Sequence, residues 1–387
     1  MDSKKYQVNE VNAYNGWDPL KQVILGNVFT PEFFEDIGDT KLRDLLQKIL
    51  YETQEDLDGI QKLLEDMGVD VVRMPANNIN PMGTSRDAYT SFTEFTAAEG
   101  RHGQTRGIPK PCLTPRDDFL TLGDKILYTT HMWNDFVDDT NKIFNPAILD
   151  LVFQDAVQAH KSDIITEPPL KPTGHSPQFA GKSHHWGFWA PAVHRVGNRL
   201  IIDEEDWSNL SEFLLNRYPE YEGANVAIGG HNDGSMNLPR PGLVVCGDWM
   251  GPEDFKDTLP GWDVLRIEHP NHMQSEIGSW AKDKHITNGK WWHPEAKSNP
   301  ELVNFVEDWL TNWVGQSEES IFEVNMLSVN PETVLSLNYQ SEVHNALKKH
   351  GIEPIYCRFR HRNFWDGGLH CLTLDTVRDG GIQDYFK

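Results

Sequence analysis

Two short stretches carry side chains that can make and break bonds. One is His231-Asn232-Asp233, preceded by Gly229-Gly230. The other is Cys371, set in Gly367-Gly368-Leu369-His370-Cys371-Leu372-Thr373-Leu374-Asp375. A cysteine attacks as its thiolate, which needs a neighbouring imidazole or positive field to form near neutral pH. A histidine can then pass a proton to a leaving group and take one from water. Carboxylates add a third capacity, because a planar guanidinium cation is held by forked, charge-assisted hydrogen bonds. One cysteine, one histidine and a few aspartates are the set that chemistry on a guanidino group requires.

In an extended chain, residues two apart share a side. That rule puts His231 and Asp233 in one cavity with Asn232 turned away. It puts Cys371 beside Leu369 and Thr373, with His370 on the opposite face. The paired glycines before each stretch allow close backbone approach. A buried cysteine packs more often than it reacts. The residues alone therefore leave Cys371 open between packed thiol and nucleophile, and His231 between loop cap and proton carrier. His184, His185 and His194 form a further cluster. Adjacent histidines point to opposite faces of a strand, and no cysteine or carboxylate completes a zinc geometry. The cluster is read as lining or covering a pocket, and no metal is expected.

Elements that could position these residues recur along the chain. Gln22-Val23-Ile24-Leu25 reads as a strand, followed by a helical pattern through Leu42, Leu45, Ile49, Leu57, Ile60 and Leu64. A stop at Gly68 leads into Val69-Asp70-Val71-Val72-Arg73. The same strand–helix–strand order returns four times. Lys125-Ile126-Leu127-Tyr128 leads to a helix near 147–159 and then Asp163-Ile164-Ile165. Leu200-Ile201-Ile202 leads to a helix over 207–215 and then Asn225-Val226-Ala227-Ile228. Leu243-Val244-Val245 leads to a short helix near 252–258 and then Val264-Leu265-Arg266-Ile267. Val334-Leu335-Ser336-Leu337 leads to a helix over 342–349 and then Pro354-Ile355-Tyr356-Cys357. Such units gain by repeating around an axis. A doubly wound sheet would carry a glycine-rich phosphate loop, and neither G-x-G-x-x-G nor a P-loop is present. The expected fold is α/β, a closed ring of five units forming a single domain over 1–387, with chemistry just beyond the strand ends.

Composition narrows the classes of function. The 387 residues are 38% hydrophobic and 11% aromatic, ample for a large core. A net charge of −23 argues against nucleic acid and anionic membrane surfaces, and suits a cationic substrate drawn to a negative cleft. Four cysteines (Cys112, Cys246, Cys357, Cys371) form no disulfide framework or zinc spacing. No stretch is long and apolar enough to span a membrane, and the opening Met1-Asp2-Ser3-Lys4-Lys5 lacks a signal-like apolar run. A cytoplasmic chain is expected; self-association into a homo-oligomer stays open.

Four separated segments, in order, resemble the arginine:glycine amidinotransferases of the guanidino-group-modifying superfamily. They are Tyr14-Asn15-Gly16-Trp17-Asp18-Pro19-Leu20 with Val23-Ile24-Leu25-Gly26; Pro115-Arg116-Asp117 with Gly123; His231-Asn232-Asp233-Gly234-Ser235-Met236-Asn237 with Pro241-Gly242-Leu243-Val244-Val245; and the Cys371 segment through Arg378. The resemblance implies the five-bladed α/β propeller (pentein) fold. It implies Cys371 as nucleophile, His231 as general acid/base, Asp117 and Asp233 as guanidinium-binding carboxylates, and Asn325 near the site. It implies no cofactor. The substrate would be L-arginine, cleaved through an S-amidinocysteine with release of L-ornithine. The sequence departs from the pattern in three places. The family's orienting aspartate before the third unit is replaced by His184-His185-Trp186-Gly187-Phe188-Trp189, with His184 or His185 able to take the orienting role. The arginine that binds the substrate carboxylate is absent from Asp248-Trp249-Met250. Paired serines become Glu318-Glu319. With those anchors gone, water is favoured as acceptor, giving urea; transfer to glycine is the alternative, and a deiminase releasing citrulline and ammonia a third.

Overall fold

A computed structural model describes residues 8, 10–74, 76, 91–94, 96, 108, 111–128, 171–172, 190–203, 207–208, 210–228, 231–267, 299–310, 313, 323–365 and 367–387. The first strand, β1 (Leu20–Leu25), runs parallel to β2 (Asp70–Arg73) in the register Gln22↔Asp70 to Leu25↔Arg73. The 27-residue helix Thr40–Asp66 joins them. Its start is set by Asp39, whose carboxylate accepts the N–H groups of Lys41 and Leu42 at 2.9 and 3.0 Å. Leu42, Leu46, Ile49, Leu57, Ile60 and Leu64 recur at helical spacing and bury one face. Gly68, at φ 83, ends the helix in the left-handed conformation that a glycine adopts without steric cost.

The remaining strands are β3 (Phe119–Leu122), β4 (Lys125–Tyr128), β5 (Lys171–Pro172), β6 (Val193–Val196), β7 (Arg199–Asp203), β8 (Trp207–Ser208), β9 (Glu222–Val226) and β10 (Met236–Arg240). Then come β11 (Leu243–Gly247), β12 (Asp263–Ile267), β13 (Leu327–Asn330), β14 (Thr333–Ser336), β15 (Glu353–Tyr356) and β16 (Thr373–Arg378). Four sheets share one plan. In β16-β1-β2, β6-β7-β9, β10-β11-β12 and β13-β14-β15 the first pair is antiparallel and the second parallel. The pair β3-β4 is a two-stranded antiparallel sheet among the described residues.

Beside the expected strands lies an additional antiparallel strand that the strand–helix–strand pattern did not include; for the first unit it is the chain's last strand, β16. The helix expected over 207–215 also starts later: Trp207–Ser208 pairs with Lys171–Pro172 as strand, and the helix runs Leu210–Arg217. The helix expected near 147–159 and the strand at 163–165 lie outside the described residues. Among the described residues, no helix is long and apolar enough to cross a membrane.

The additional strands face one another. Asn237 Nδ2 of β10 donates to Met326 O, and Ser328 Oγ of β13 donates to Pro239 O of β10. Thr121 Oγ1 of β3 donates to Asp375 O of β16. The N-terminal segment laces three of the units together, through Asn12 to Thr376, Ala13 to Gly123 and Asn15 to Val196.

Candidate active site

The site side chains ride on the turns that lead into these additional strands. Asp117 sits in the one-turn helix Pro115–Asp118, two residues before β3. Asn325 and Cys371 stand two residues before β13 and β16. His231 and Asp233 precede β10, with Asn232–Ser235 forming a single helical turn. Tight turns at the start of neighbouring strands bring residues far apart in sequence to one place.

The helical turn corrects the extended reading of 231–233. Gly234 N–H bonds to His231 O at 3.1 Å, and the Asn232 amide donates to Ala192 O at 2.9 Å. Asn232 is thereby tied to the neighbouring unit, while His231 and Asp233 still reach the site. The Cys371 segment needs the same correction. It is a turn, with Leu372 N–H on Gly368 O and Thr373 N–H on His370 O. His370 and Cys371 consequently face the same carboxylate instead of opposite sides. Gly229-Gly230 lie outside the described residues, but the second glycine pair behaves as expected. A Cβ on Gly368 would stand 2.4 Å from Asn325 Cβ, so only glycine lets the two segments meet.

All five expected site residues converge and are buried. Cys371 Sγ is 3.1 Å from Asp233 Oδ2, and Asn325 Nδ2 donates to the sulfur at 3.1 Å. Asn325 Oδ1 accepts the Cys371 N–H at 3.0 Å, and the same amide nitrogen reaches Asp233 O at 3.1 Å. Asn325 is therefore the bracket that fixes the cysteine against the aspartate. His231 Nδ1 lies 3.8 Å from Asp117 Oδ1. Ligating atoms of Asp117, His231 and Cys371 fall within 4.8 Å of one another. That donor set of one oxygen, one nitrogen and one sulfur would also suit an open three-ligand zinc site. Carboxylates beside a thiol are also the groups that would pair with a planar cation.

His370 and His194 complete the surroundings, and the first was not expected there. His370 Nδ1 is 2.7 Å from Asp233 Oδ2, and its ring lies parallel to that of His194, 6.1 Å between centroids. Burial and the Arg116 cation push the His370 pKa down to about 4, against the pull of Asp233. Burial and His370 push His194 down to about 3. Both are neutral imidazoles near pH 7, and His370 donates its Nδ1 proton. Burial alone would raise Asp233; the His370 hydrogen bond, with His231 and the Cys371 thiol, holds its carboxyl well below the usual range. His184, His185 and Trp189 lie outside the described residues.

Behind this turn sits a charged hub. Asp375 Oδ1 takes Arg116 at 2.9 Å, and Oδ2 takes Arg195 and Arg378 at 2.6 Å each. All four residues are buried. Arg116 Nε also donates to His370 O and Thr373 O at 2.9 Å, so the hub pins both ends of the cysteine turn.

The neutral histidines leave a pH signature. An unfolded histidine takes its proton near pH 6.5, whereas His370 and His194 do so only at about 4 and about 3 in the folded chain. Between these values the unfolded chain binds more protons, so stability falls as pH drops from about 6.5 towards 4. Asp18 and Glu323, raised by burial, act in the opposite sense over part of that window. Urea midpoints should fall across that range in the native chain, and less steeply in His194→Phe. Equal slopes in the two proteins would contradict a neutral His194 with buried ring nitrogens.

No family model matches the chain. The mitochondrial glycine amidinotransferase of Xenopus laevis is 34% identical, over 97% of this chain and 85% of its own length. Inosamine-phosphate amidinotransferase 1 of Streptomyces glaucescens is 21% identical, over 97% and 99%. Among solved structures, an amidinotransferase of saxitoxin biosynthesis from Microseira wollei superposes with a TM-score of 0.63 at 21% identity, over 97% of this chain and 99% of its own. The inosamine-phosphate amidinotransferase of Streptomyces griseus follows at 0.59 and 20%, over the same shares of each chain. The fold is thus the α/β fold of amidinotransferases. The chain belongs to the amidinotransferase family.

Proposed function

We propose that this chain removes the amidino group of L-arginine through a covalent adduct on Cys371. The observation that carries the reading is the convergence of the Cys371 thiol, the His231 imidazole and the Asp117 carboxylate, with Asp233 and Asn325 on the sulfur. The five sheet units close, on this reading, into a five-bladed propeller of one domain, with the additional strands innermost. The bonds among β3, β6, β10, β13 and β16 support that closure.

Asp117 and Asp233 hold the guanidinium over the sulfur by charge-assisted hydrogen bonds. Its positive charge offsets the carboxylates that otherwise disfavour a thiolate. The thiol proton passes to His231, and the sulfur attacks the central guanidino carbon. His231 then protonates the side-chain nitrogen, the bond from carbon to that nitrogen breaks, and ornithine leaves. An S-amidinocysteine remains. Water, giving its proton to His231, adds to the amidino carbon; the thiolate departs and urea is released. Arginine and water are thereby converted to ornithine and urea.

Water is favoured as acceptor because Met250, where the family anchors a substrate carboxylate, is buried among Trp17, Phe255 and Leu259. Glu318 and Glu319 lie outside the described residues. Transfer to an amine is the second reading, favoured by relatives named glycine amidinotransferase and L-arginine:L-lysine amidinotransferase.

Product analysis separates the two. With arginine alone, continuous release of ornithine and urea is expected, barely altered by millimolar glycine. An enzyme that stalls until glycine is added, then yields guanidinoacetate, is a transferase. Citrulline with ammonia would contradict both. Activity lost to a chelator and restored by zinc would make Asp117, His231 and Cys371 a ligand set instead.

A further inference from the structure

Asp233 meets two donors on one oxygen. His370 Nδ1 lies 2.7 Å and Cys371 Sγ 3.1 Å from Oδ2, whereas Oδ1 has no hydrogen-bond partner among the described residues. The backbone and ring of His370 are held in turn. Its N–H donates to Asn325 O, its carbonyl accepts from Arg116, and its ring lies 3° from parallel with that of His194. The charged and titratable groups facing this pair are Cys371, His231, Arg116 and His194, with Arg195 and Asp375 behind them. A cavity of about 40 Å³ borders Asp233, His370, His194, Arg116 and Asn237, and Cys371 does not line it. His370 therefore stands between the sulfur side of Asp233 and this chamber.

Ionising Cys371 creates a difficulty that this contact addresses. A thiolate and a buried carboxylate about 3 Å apart repel, and burial favours returning a proton to one of them. If Asp233 took that proton, it would lose the charge that holds a guanidinium. A carboxylate free to rotate would lose the orientation as well. A donor fixed on Oδ2 opposes both changes.

We propose that His370 is a positioning residue for the amidino chemistry. Its Nδ1–H locks the Asp233 carboxylate and keeps it ionised beside the thiolate, so that Oδ1 faces the substrate cation. This rests on the reading of Cys371 as the group that takes the amidino carbon. The neutral state of His370 matters here: a neutral imidazole with its proton on Nδ1 donates without adding a positive charge that would repel the guanidinium. His194, stacked on the ring, limits its rotation.

Two variants test it. His370→Leu removes the donor, and His370→Asn keeps an N–H close to the position of Nδ1. For His370→Leu, KM for arginine should rise about 10- to 100-fold, the worth of one charge-assisted hydrogen bond. The acid limb of kcat/KM should move to higher pH, because Asp233 would then release its proton later. His370→Asn should restore both parameters towards the native values. A side chain that only supports the fold would lower kcat evenly at all pH and leave KM and the limb in place. That outcome overturns the proposal, as does an asparagine variant no better than leucine. Native protein that takes no amidino group from arginine refutes the reading of Cys371 instead. His370 is then tested by its Nδ1–H proton resonance, expected far downfield in the native chain and shifted in Asp233→Ala. An unshifted resonance overturns the proposal.

Discussion

Cys371→Ser and Cys371→Ala are each expected to lower turnover of arginine by about 10⁴-fold or more while the chain stays folded. Serine is the sharper test. Its hydroxyl can donate to Asp233 and accept from Asn325 much as the thiol does at 3.1 Å on each side. The binding pocket and the bracket from Asn325 to the Cys371 N–H would persist. What changes is chemistry: an alcohol is hardly ionised near neutral pH and is a poor leaving group from an amidino carbon. Circular dichroism and urea midpoints close to native, with turnover gone, are the combined result expected. Serine activity within an order of magnitude of native would remove the cysteine from the reaction.

Asp375→Asn is expected to destabilise the chain by about 3–5 kcal/mol, the range for leaving a buried charge uncompensated. Asparagine has nearly the volume of aspartate, so no cavity forms and the loss is electrostatic. Asp375 joins Arg116, Arg195 and Arg378, each within 2.9 Å. Those arginines come from three different parts of the chain and are themselves buried. Burial alone would raise the Asp375 pKa, and the three guanidinium groups instead hold it well below the usual carboxylate range. Asp379, in an exposed 3.7 Å ion pair with Lys21, provides the contrast, and Asp379→Asn should change stability little. Because Arg116 also grips the carbonyls of His370 and Thr373, Asp375→Asn should lower activity in the fraction that remains folded. Equal urea midpoints for native and Asp375→Asn chains would contradict the hub as a source of stability.

The elements most legible in the sequence are those whose own pattern decides them. The helix Thr40–Asp66 carries an apolar face at helical spacing and a glycine stop, and both act as expected. Most of the parallel strands were legible for a similar reason, being short apolar runs; β9, expected over 225–228, instead runs Glu222–Val226 and is largely polar. Among the additional antiparallel strands, β6 and β10 were not legible. β10 contains Asn237 and Pro239, and β6 contains His194 and Arg195, because their inner faces line a polar interior instead of an apolar core. Without an apolar run, a short strand resembles a loop.

The same physics explains what was seen of the site. Cys371, His231, Asp233, Asp117 and Asn325 were legible through motif resemblance, and they do converge. His370 was misplaced because alternation of sides holds only for extended chain, and the segment is a turn. Arg116, Arg195 and Arg378 had no marker of burial, since an isolated arginine usually lies at the surface. Asp117, Asn325 and Cys371 each stand two residues before a strand, a regularity visible only once those strands are placed.

The central claim is that Cys371 carries the amidino group during turnover. Native protein mixed with arginine, quenched in acid within the steady state and digested, should yield the peptide containing Cys371 heavier by one amidino group. Arginine labelled with ¹³C at the guanidino carbon should carry its label into that peptide, and His231→Ala should accumulate or fail to form the adduct without modifying any other residue. An unlabelled Cys371 peptide during active turnover, or label found on another side chain, would contradict the account.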